Sequence, residues 1–550
     1  MKRYFAFTLA MILLAAFMTS CNSKSSSEGN LSSTGASSGS ASSAETTVEN
    51  GVTNVTGYPI TNDKITLEAA IIYGAHKGDF EKYDYWNKVT EQTNIEIKLR
   101  VLNSSENVNL MYTSRDFPDF SFSTGVGAQQ FTDAVDAGDI IQLDDYLESY
   151  AQTYTSFFEA NPDMKALCRE ADGGVYSLPF VNLAEWDYNM RDIWLINGDW
   201  LEELKMEIPT TLDEFTAYLR AVKSAAGTGT IPSNVIPYYF LHNQRIGGPF
   251  EIFASFGLPT GTVNGMGIYI QDGKVVNNAT NEAIKEPIKY LKMLYSEELI
   301  SPEAFTDNWD TYVAKLKAEP AVVGSVASYS NNNISYWENM PLLDTGTGAT
   351  PILRFQQKSC TARQFVIFKG NEYPIATLRL GDMFGDPDWS VYTNWGAEGE
   401  GYSKTAEGEY RKIQDVGLQD DQTKWVPGNY GLAVLTEEMN NQLSTDTIND
   451  PRSREYAYFN LYKQFLPPEN ISVYPKMPSG YITEEESDKL TQIDTDTQTY
   501  INKMFANWIT GASDIDADWD EYLNQLDKLG LPELLEIRQK AYDAYLADLN

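Results

Sequence analysis

Residues 65 to 101 place the tightest limit on the fold. Ile65-Thr-Leu-Glu-Ala-Ala-Ile-Ile-Tyr73 is apolar at every second position and reads as a strand. Asp79 to Thr93 carries Phe80, Tyr83, Trp86 and Val89 at three-residue spacing, one face of a helix. Ile95, Ile97, Leu99 and Val101 then alternate as a second strand. Strand, helix and strand at this spacing predict a βαβ unit, a parallel sheet and an α/β fold. The region around Phe120 predicts another short strand. Thr211-Leu-Asp-Glu214 is a capping box opening a helix that continues through Phe215, Leu219 and Val222. Ala283 to Tyr295 has helical period, with Pro287 marking a kink or the first turn. Trp519, Tyr522, Leu523 and Leu526 form a helix stripe that Gly530 stops, and Pro532 restarts a final helix through Leu535, Ala541 and Tyr542. No internal repeat is visible.

The N-terminus is built differently. Lys2 and Arg3 precede an apolar run from Tyr4 to Met18, too short for a comfortable membrane span and suited to a secretory signal. Met18-Thr-Ser-Cys21 resembles a bacterial lipobox, which implies cleavage before Cys21 and diacylglyceryl transfer to its thiol; the plain alternative is a signal peptide with a chance cysteine. Asn22 to about Asn54 is Ser-, Thr-, Gly- and Ala-rich and cannot bury enough surface to order itself. We therefore expect a signal peptide over 1–20, a lipid-anchored leash over 21–57, and folding from Tyr58 onward. The folded part is roughly three times the commonest domain size, so more than one lobe is expected. No second apolar stretch approaches spanning length.

The net charge is −36; removing Lys2 and Arg3 with the signal peptide leaves −38. Such a chain repels phosphate backbones, which excludes nucleic-acid binding, and its body stays off an anionic membrane. Beyond Cys21 there are Cys168 and Cys360; they could pair, but no scaffold depends on one bridge in a chain this long, and free buried thiols are the default expectation. His76 and His242 alone supply imidazoles, which argues against a His-rich zinc site or a histidine-based triad.

Further segments stand in a specific order along the chain. They are Asp116-Phe-Pro-Asp-Phe120, Gly138-Asp-Ile-Ile-Gln-Leu-Asp-Asp-Tyr146, Gly173-Gly-Val-Tyr-Ser-Leu-Pro179, Asn197-Gly-Asp-Trp-Leu201 with Pro209-Thr-Thr-Leu-Asp-Glu-Phe215, and Leu294-Tyr-Ser-Glu-Glu-Leu-Ile-Ser-Pro302. Trp395-Gly-Ala-Glu-Gly-Glu-Gly-Tyr402, Trp508-Ile-Thr-Gly511 and Asp518-Trp-Asp-Glu-Tyr522 follow. Together they resemble the extracellular solute-binding lipoproteins of carbohydrate ABC importers, in their large polysaccharide-utilisation branch, similar to alginate-oligosaccharide-binding proteins. The resemblance implies a periplasmic-binding-protein-like α/β fold with two lobes, a hinge and an interlobe cleft. Lobe 1 would take about 58–182 and 345–400, and lobe 2 about 183–344 and 401–550. It implies a monomer that captures an oligosaccharide by hinge closure and delivers it to ABC permease subunits, without catalysis or cofactor, touching the membrane through its lipid anchor only. Many large members carry an acidic calcium loop where this chain has Ala225-Ala-Gly-Thr-Gly-Thr-Ile-Pro232; without carboxylates, no metal is expected there.

A sugar shows hydroxyls at its rim and C–H patches on its faces, which suit carboxylates, amides and flat aromatic rings. Most of the 11 Trp and 34 Tyr must pack cores. Better ligand candidates lie in polar, non-periodic surroundings. They are Trp186 beyond the first hinge strand, Trp337 after an amide-rich stretch, and Trp395 with Glu398 in the Gly-Glu-Gly turn. Asp119 is expected at the C-terminal edge of a strand, where open α/β sheets bind ligands. Arg363 would orient an acidic sugar or pair with a carboxylate, the pairing being favoured. His76, in the loop after the first strand, is a further candidate. The competing readings are a peptide- or other-solute-binding protein, a surface glycoside hydrolase working through paired carboxylates, and a structural or adhesive lipoprotein.

Overall fold

Two sheets organise the chain. The computed structural model describes residues 47–72, 79–183, 193–242, 248–259, 267–328, 334–353, 359–413, 421–428, 431–449, 460–466, 468–474 and 481–549. The first sheet begins with β1 (Ile65–Ile72), β2 (Ile95–Leu102), β3 (Phe120–Phe122) and β4 (Leu178–Asn182). The chain then builds the second sheet from β5 (Ile193–Asn197), β6 (Ile236–Tyr239), β7 (Val323–Ser328) and β8 (Trp337–Met340). It returns to the first sheet with β9 (Ser359–Ile367) and β10 (Val434–Leu435). The strand order is β10-β4-β9-β3-β1-β2 in the first sheet and β8-β5-β7-β6 in the second.

The opening βαβ unit is as expected: β1 and β2 pair in parallel over their full length, Ile65 opposite Ile95. The helix between them is in two pieces, a 3₁₀ turn at Phe80–Lys82 and an α-helix at Tyr85–Thr93. Tyr83 is extended between them, which sets its ring 5.1 Å from that of Phe80. All four residues of the expected face, Phe80, Tyr83, Trp86 and Val89, are buried. The break therefore serves side-chain packing, which helical period alone does not reveal. The capping box is present, with Thr211 taking the Glu214 N–H and opening the helix Leu212–Ser224. Pro287 falls in the first turn of Lys285–Ser296, where its missing N–H costs nothing. Gly530, at φ +94°, separates Ile515–Lys528 from Leu531–Asp548.

Two expected boundaries are corrected. Folding begins before Tyr58: Thr47–Val48 and Thr53–Asn54 form a hairpin, and Thr53 is fully buried. The Glu49 carboxylate accepts the N–H groups of Ile375 (2.7 Å) and Ala376 (3.3 Å), capping the helix Pro374–Gly385. The segment after residue 400 does not all join the second sheet, because β10 pairs in parallel with β4 of the first.

Each sheet has its own core. Leu67, Phe120, Phe122, Leu178, Val181 and Phe365 centre the first. Trp194, Phe215, Tyr238 and Leu291 centre the second, closed over by Trp508, Trp519 and Tyr522 of the C-terminal helices. The last helix reaches both: Leu531, Leu534 and Ile537 lie in the second core and Tyr545 in the first.

Candidate functional site

Strand direction gathers the functional edge. In the first sheet every strand but β9 runs the same way, so the C-terminal ends of β1, β3, β4 and β10 share one edge with the start of β9. In the second sheet β5 is the reversed strand, and its start shares an edge with the ends of β6, β7 and β8. The chain steps from the end of β4 at Asn182 to the start of β5 at Ile193, from one such edge to the other. Open α/β sheets bind ligands at these edges. His76 and Trp186 lie outside the described residues.

Local hydrogen bonds hold the first edge in place. Ser123, just past β3, donates its N–H to the Gln364 carbonyl (2.7 Å) and its hydroxyl to the Gly431 carbonyl (3.4 Å). Asn182, at the end of β4, accepts from the Asn440 amide (3.0 Å). At the second edge His242 follows β6, with Nε2 2.7 Å from the Asn502 carbonyl. Burial lowers its pKa, so the ring is neutral and donates from Nε2 to that carbonyl.

Beside the first edge, the helix Pro387–Trp395 and the helix Tyr85–Thr93 meet through aromatic rings. Tyr85 lies 5.2 Å from Tyr392 and 5.9 Å from Trp389, and its hydroxyl is 2.8 Å from that of Thr393. Two depressions adjoin there. One of about 210 Å³ is lined by Lys88, Asp388, Trp389, Tyr392, Glu398 and Tyr402. The other, about 500 Å³, is lined by Tyr85, Lys88, Tyr392, Glu400, Lys424 and Trp425 among others. The larger lies within the usual range of small-molecule sites, roughly 300–1,000 Å³. Burial, then Asp388 and Glu398, push the Tyr402 hydroxyl up to about 12, so it stays a neutral donor. Burial pushes the Asp388 carboxyl up, but hydrogen bonds from Lys404 and Tyr410 outweigh it and hold the group below the usual range. Flat rings bordered by carboxylates and ammonium groups of both signs suit a polyhydroxylated, weakly charged ligand.

Glu398 lines the smaller depression, while Trp395 stands nearby and lines neither. Trp395 ends its helix half-buried, packed against the cluster of Phe180, Tyr402 and Leu435. The turn that follows requires glycine: Gly396 has φ +95°, and a Cβ on Gly401 would sit 1.5 Å from the Trp395 carbonyl oxygen. That turn exposes Glu398 at the rim of the smaller depression.

Other candidates are placed elsewhere. Trp337 opens β8 and is buried against the cluster of Leu195, Tyr312 and Leu353, not displayed on a loop. Asp119 precedes β3, so it stands at the entrance of that strand and not at its C-terminal edge. Its carboxylate accepts the Glu68 N–H (2.7 Å), and its own N–H donates to the Glu68 carbonyl (3.1 Å), locking the start of β3 to β1. Arg363 is paired, as favoured, with Nε and Nη2 each 3.1 Å from the Glu170 carboxylate. It sits at φ +62° in a register break of β9, and its N–H donates to Ser177. At 225–232 the loop closes on itself, with the Thr230 N–H and hydroxyl donating to the single carboxylate of Glu203. Among the described residues no group of three or more His, Cys, Asp or Glu is placed to hold a metal ion.

Trp389, Tyr392 and Trp425 were not singled out from sequence. The i, i+3 spacing of Trp389, Tyr392 and Trp395 after a helix-starting Pro387 was the available signal.

Known proteins share this architecture. The sequence pattern of bacterial extracellular solute-binding proteins matches residues 77–389. FusA of Streptococcus pneumoniae serotype 4, a fructooligosaccharide ABC transporter substrate-binding protein, is 27% identical over 469 residues, 81% of this chain and 84% of FusA. Lipoprotein LipO of Bacillus subtilis is 29% identical over 213 residues, 36% of this chain and 38% of LipO. The structure of S. pneumoniae FusA in complex with kestose aligns with TM-score 0.73 at 24% identity, covering 88% of this chain and 100% of that one. The alginate-binding protein AlgQ2 aligns with TM-score 0.66 at 20% identity, covering 89% and 100%. The periplasmic-binding-protein-like α/β fold implied by the resemblance is the fold these alignments give.

Proposed function

The chain belongs to the bacterial extracellular solute-binding protein family, and from that premise we propose that it captures an oligosaccharide for an ABC importer. The carrying observation is the aromatic, mixed-charge pair of depressions beside the strand-end edge of a chain that matches FusA over most of both lengths. The lobes are assigned one to each sheet, with the ligand held where the two strand-end edges meet. A ligand touching both lobes favours the closed state by its differential affinity, and a permease reads that state. Trp395 and Glu398 contact the sugar together with Tyr392 and Trp425, and Trp186 and His76 are assigned to the same cleft from their place in the sequence. No bond is made or broken. Cys21 carries the lipid and the protein works as a monomer; the relative LipO, a lipoprotein, supports the anchor.

Calorimetry with kestose, longer fructans, alginate fragments, maltotriose and a tripeptide tests this reading. Heat of binding with a saccharide and none with the peptide is the expected result. Binding of the peptide alone, or release of reducing ends from a saccharide, would replace it with a peptide carrier or a hydrolase.

A further inference from the structure

The pair Cys168 and Cys360 goes beyond sugar capture. Cys168 sits in the turn after the helix Pro162–Ala166, its N–H donating to the Lys165 carbonyl (3.0 Å). Cys360 lies in β9 opposite Val181 of β4. Their sulfurs are 3.8 Å apart, in van der Waals contact across 192 positions of sequence. Cys168 is 1% exposed, within the first core, while Cys360 is partly exposed and packs against that core. Every strand of the second sheet, from Ile193 to Met340, falls between the two cysteines. The family is extracellular, and extracellular compartments oxidise thiols that meet.

We propose that Cys168 and Cys360 form a disulfide in the exported protein, closing the chain at the root of the second sheet. The reaction is thiol–disulfide exchange with an external disulfide, either an oxidoreductase or a small disulfide. The more accessible Cys360 gives up its proton and attacks the donor disulfide, breaking its S–S bond and expelling one donor thiolate. Cys168 then loses its proton and attacks Cys360 Sγ, expelling the second donor thiolate. The two protein thiols lose two electrons, the donor disulfide gains them, and the two protons end on the donor thiols. Bonding requires the sulfurs to close from this 3.8 Å contact to about 2.05 Å. The link fixes the turn at 168 to the start of β9, one of the strands at the edge where the chain returns from the second sheet.

The test uses the full-length chain exported by a bacterial host through its own N-terminus. It is denatured without reductant, treated with iodoacetamide and digested. A peptide pair joining Cys168 to Cys360, lighter than the two thiol peptides by two hydrogens and split by reductant, is the expected product, with near-complete loss of alkylation at both positions. Alkylation of both cysteines in most molecules, or a link from either to Cys21, overturns the proposal. A second measurement uses the unfolding midpoint. Reductant should lower it by a few degrees in the wild type and leave C360S unmoved, and a wild type indifferent to reductant counts against the link.

Discussion

The two sheets bury their strands to different depths. In the second, every residue of β5 and β7 is buried, the pattern of strands covered on both faces. In the first, β1 alternates at its start and β2, the edge strand, exposes or half-exposes all but Ile95. The second sheet takes its strands from one stretch of sequence, whereas the first needs three: 65–182, 359–367 and 434–435. The more exposed, more discontinuous sheet is the one beside whose edge the aromatic depressions lie. Deep burial fixes one body; the partner assembled from distant pieces offers the surface.

The strongest way to break this comparison is in the cores. Trp194→Ala in β5 and Phe365→Ala in β9 each remove a fully buried ring and should cost about 3–5 kcal/mol in denaturant titration. Hydrogen exchange should accelerate mainly in β5–β8 for the first and in β3, β4, β9 and β10 for the second. Uniform acceleration in both sheets would mean that the distinction has no energetic content. At the site, Trp395→Ala and Tyr392→Ala should each weaken saccharide binding about tenfold, ~1.4 kcal/mol, by calorimetry. Trp337→Ala should lower stability and leave the affinity of the folded protein intact. The reverse pattern would move the sugar from the first edge to the second sheet. Glu49→Ala removes the cap of Pro374–Gly385 and should cost about 1 kcal/mol in thermal melts, with exchange faster in that helix alone.

The smallest effect is the pH response of the second sheet. His242 is held neutral in the fold, its pKa below the ordinary 6.5. As pH falls through that ordinary value the unfolded chain takes the proton first, so stability decreases with acidification until the folded ring titrates too. His242→Asn should flatten the midpoint between neutral and mildly acidic pH. An unchanged slope would place the titrating group elsewhere.

Periodicity carried the parallel pair β1–β2, the capped helix at Thr211 and the C-terminal helices, because each is decided by contacts near in sequence. It could not place β10, whose Val434–Leu435 is too short to show alternation and is held by pairing with β4. Nor could it place Asp119, since a Pro-Asp-Phe segment reads the same entering a strand as leaving one. Trp337 misled for a related reason. Its amide-rich neighbours look like loop, yet antiparallel pairing with β5 draws the ring into the core. The turn after Trp395 that exposes Glu398 was legible because its glycines answer a steric demand written in the chain itself.

The final helix has a mechanical meaning. An 18-residue rod with Leu531, Leu534 and Ile537 seated in one body and Tyr545 in the other restrains how far the halves can separate. Drawing the two cores apart along the rod would have to unseat one of its ends, so the helix is a tie between them.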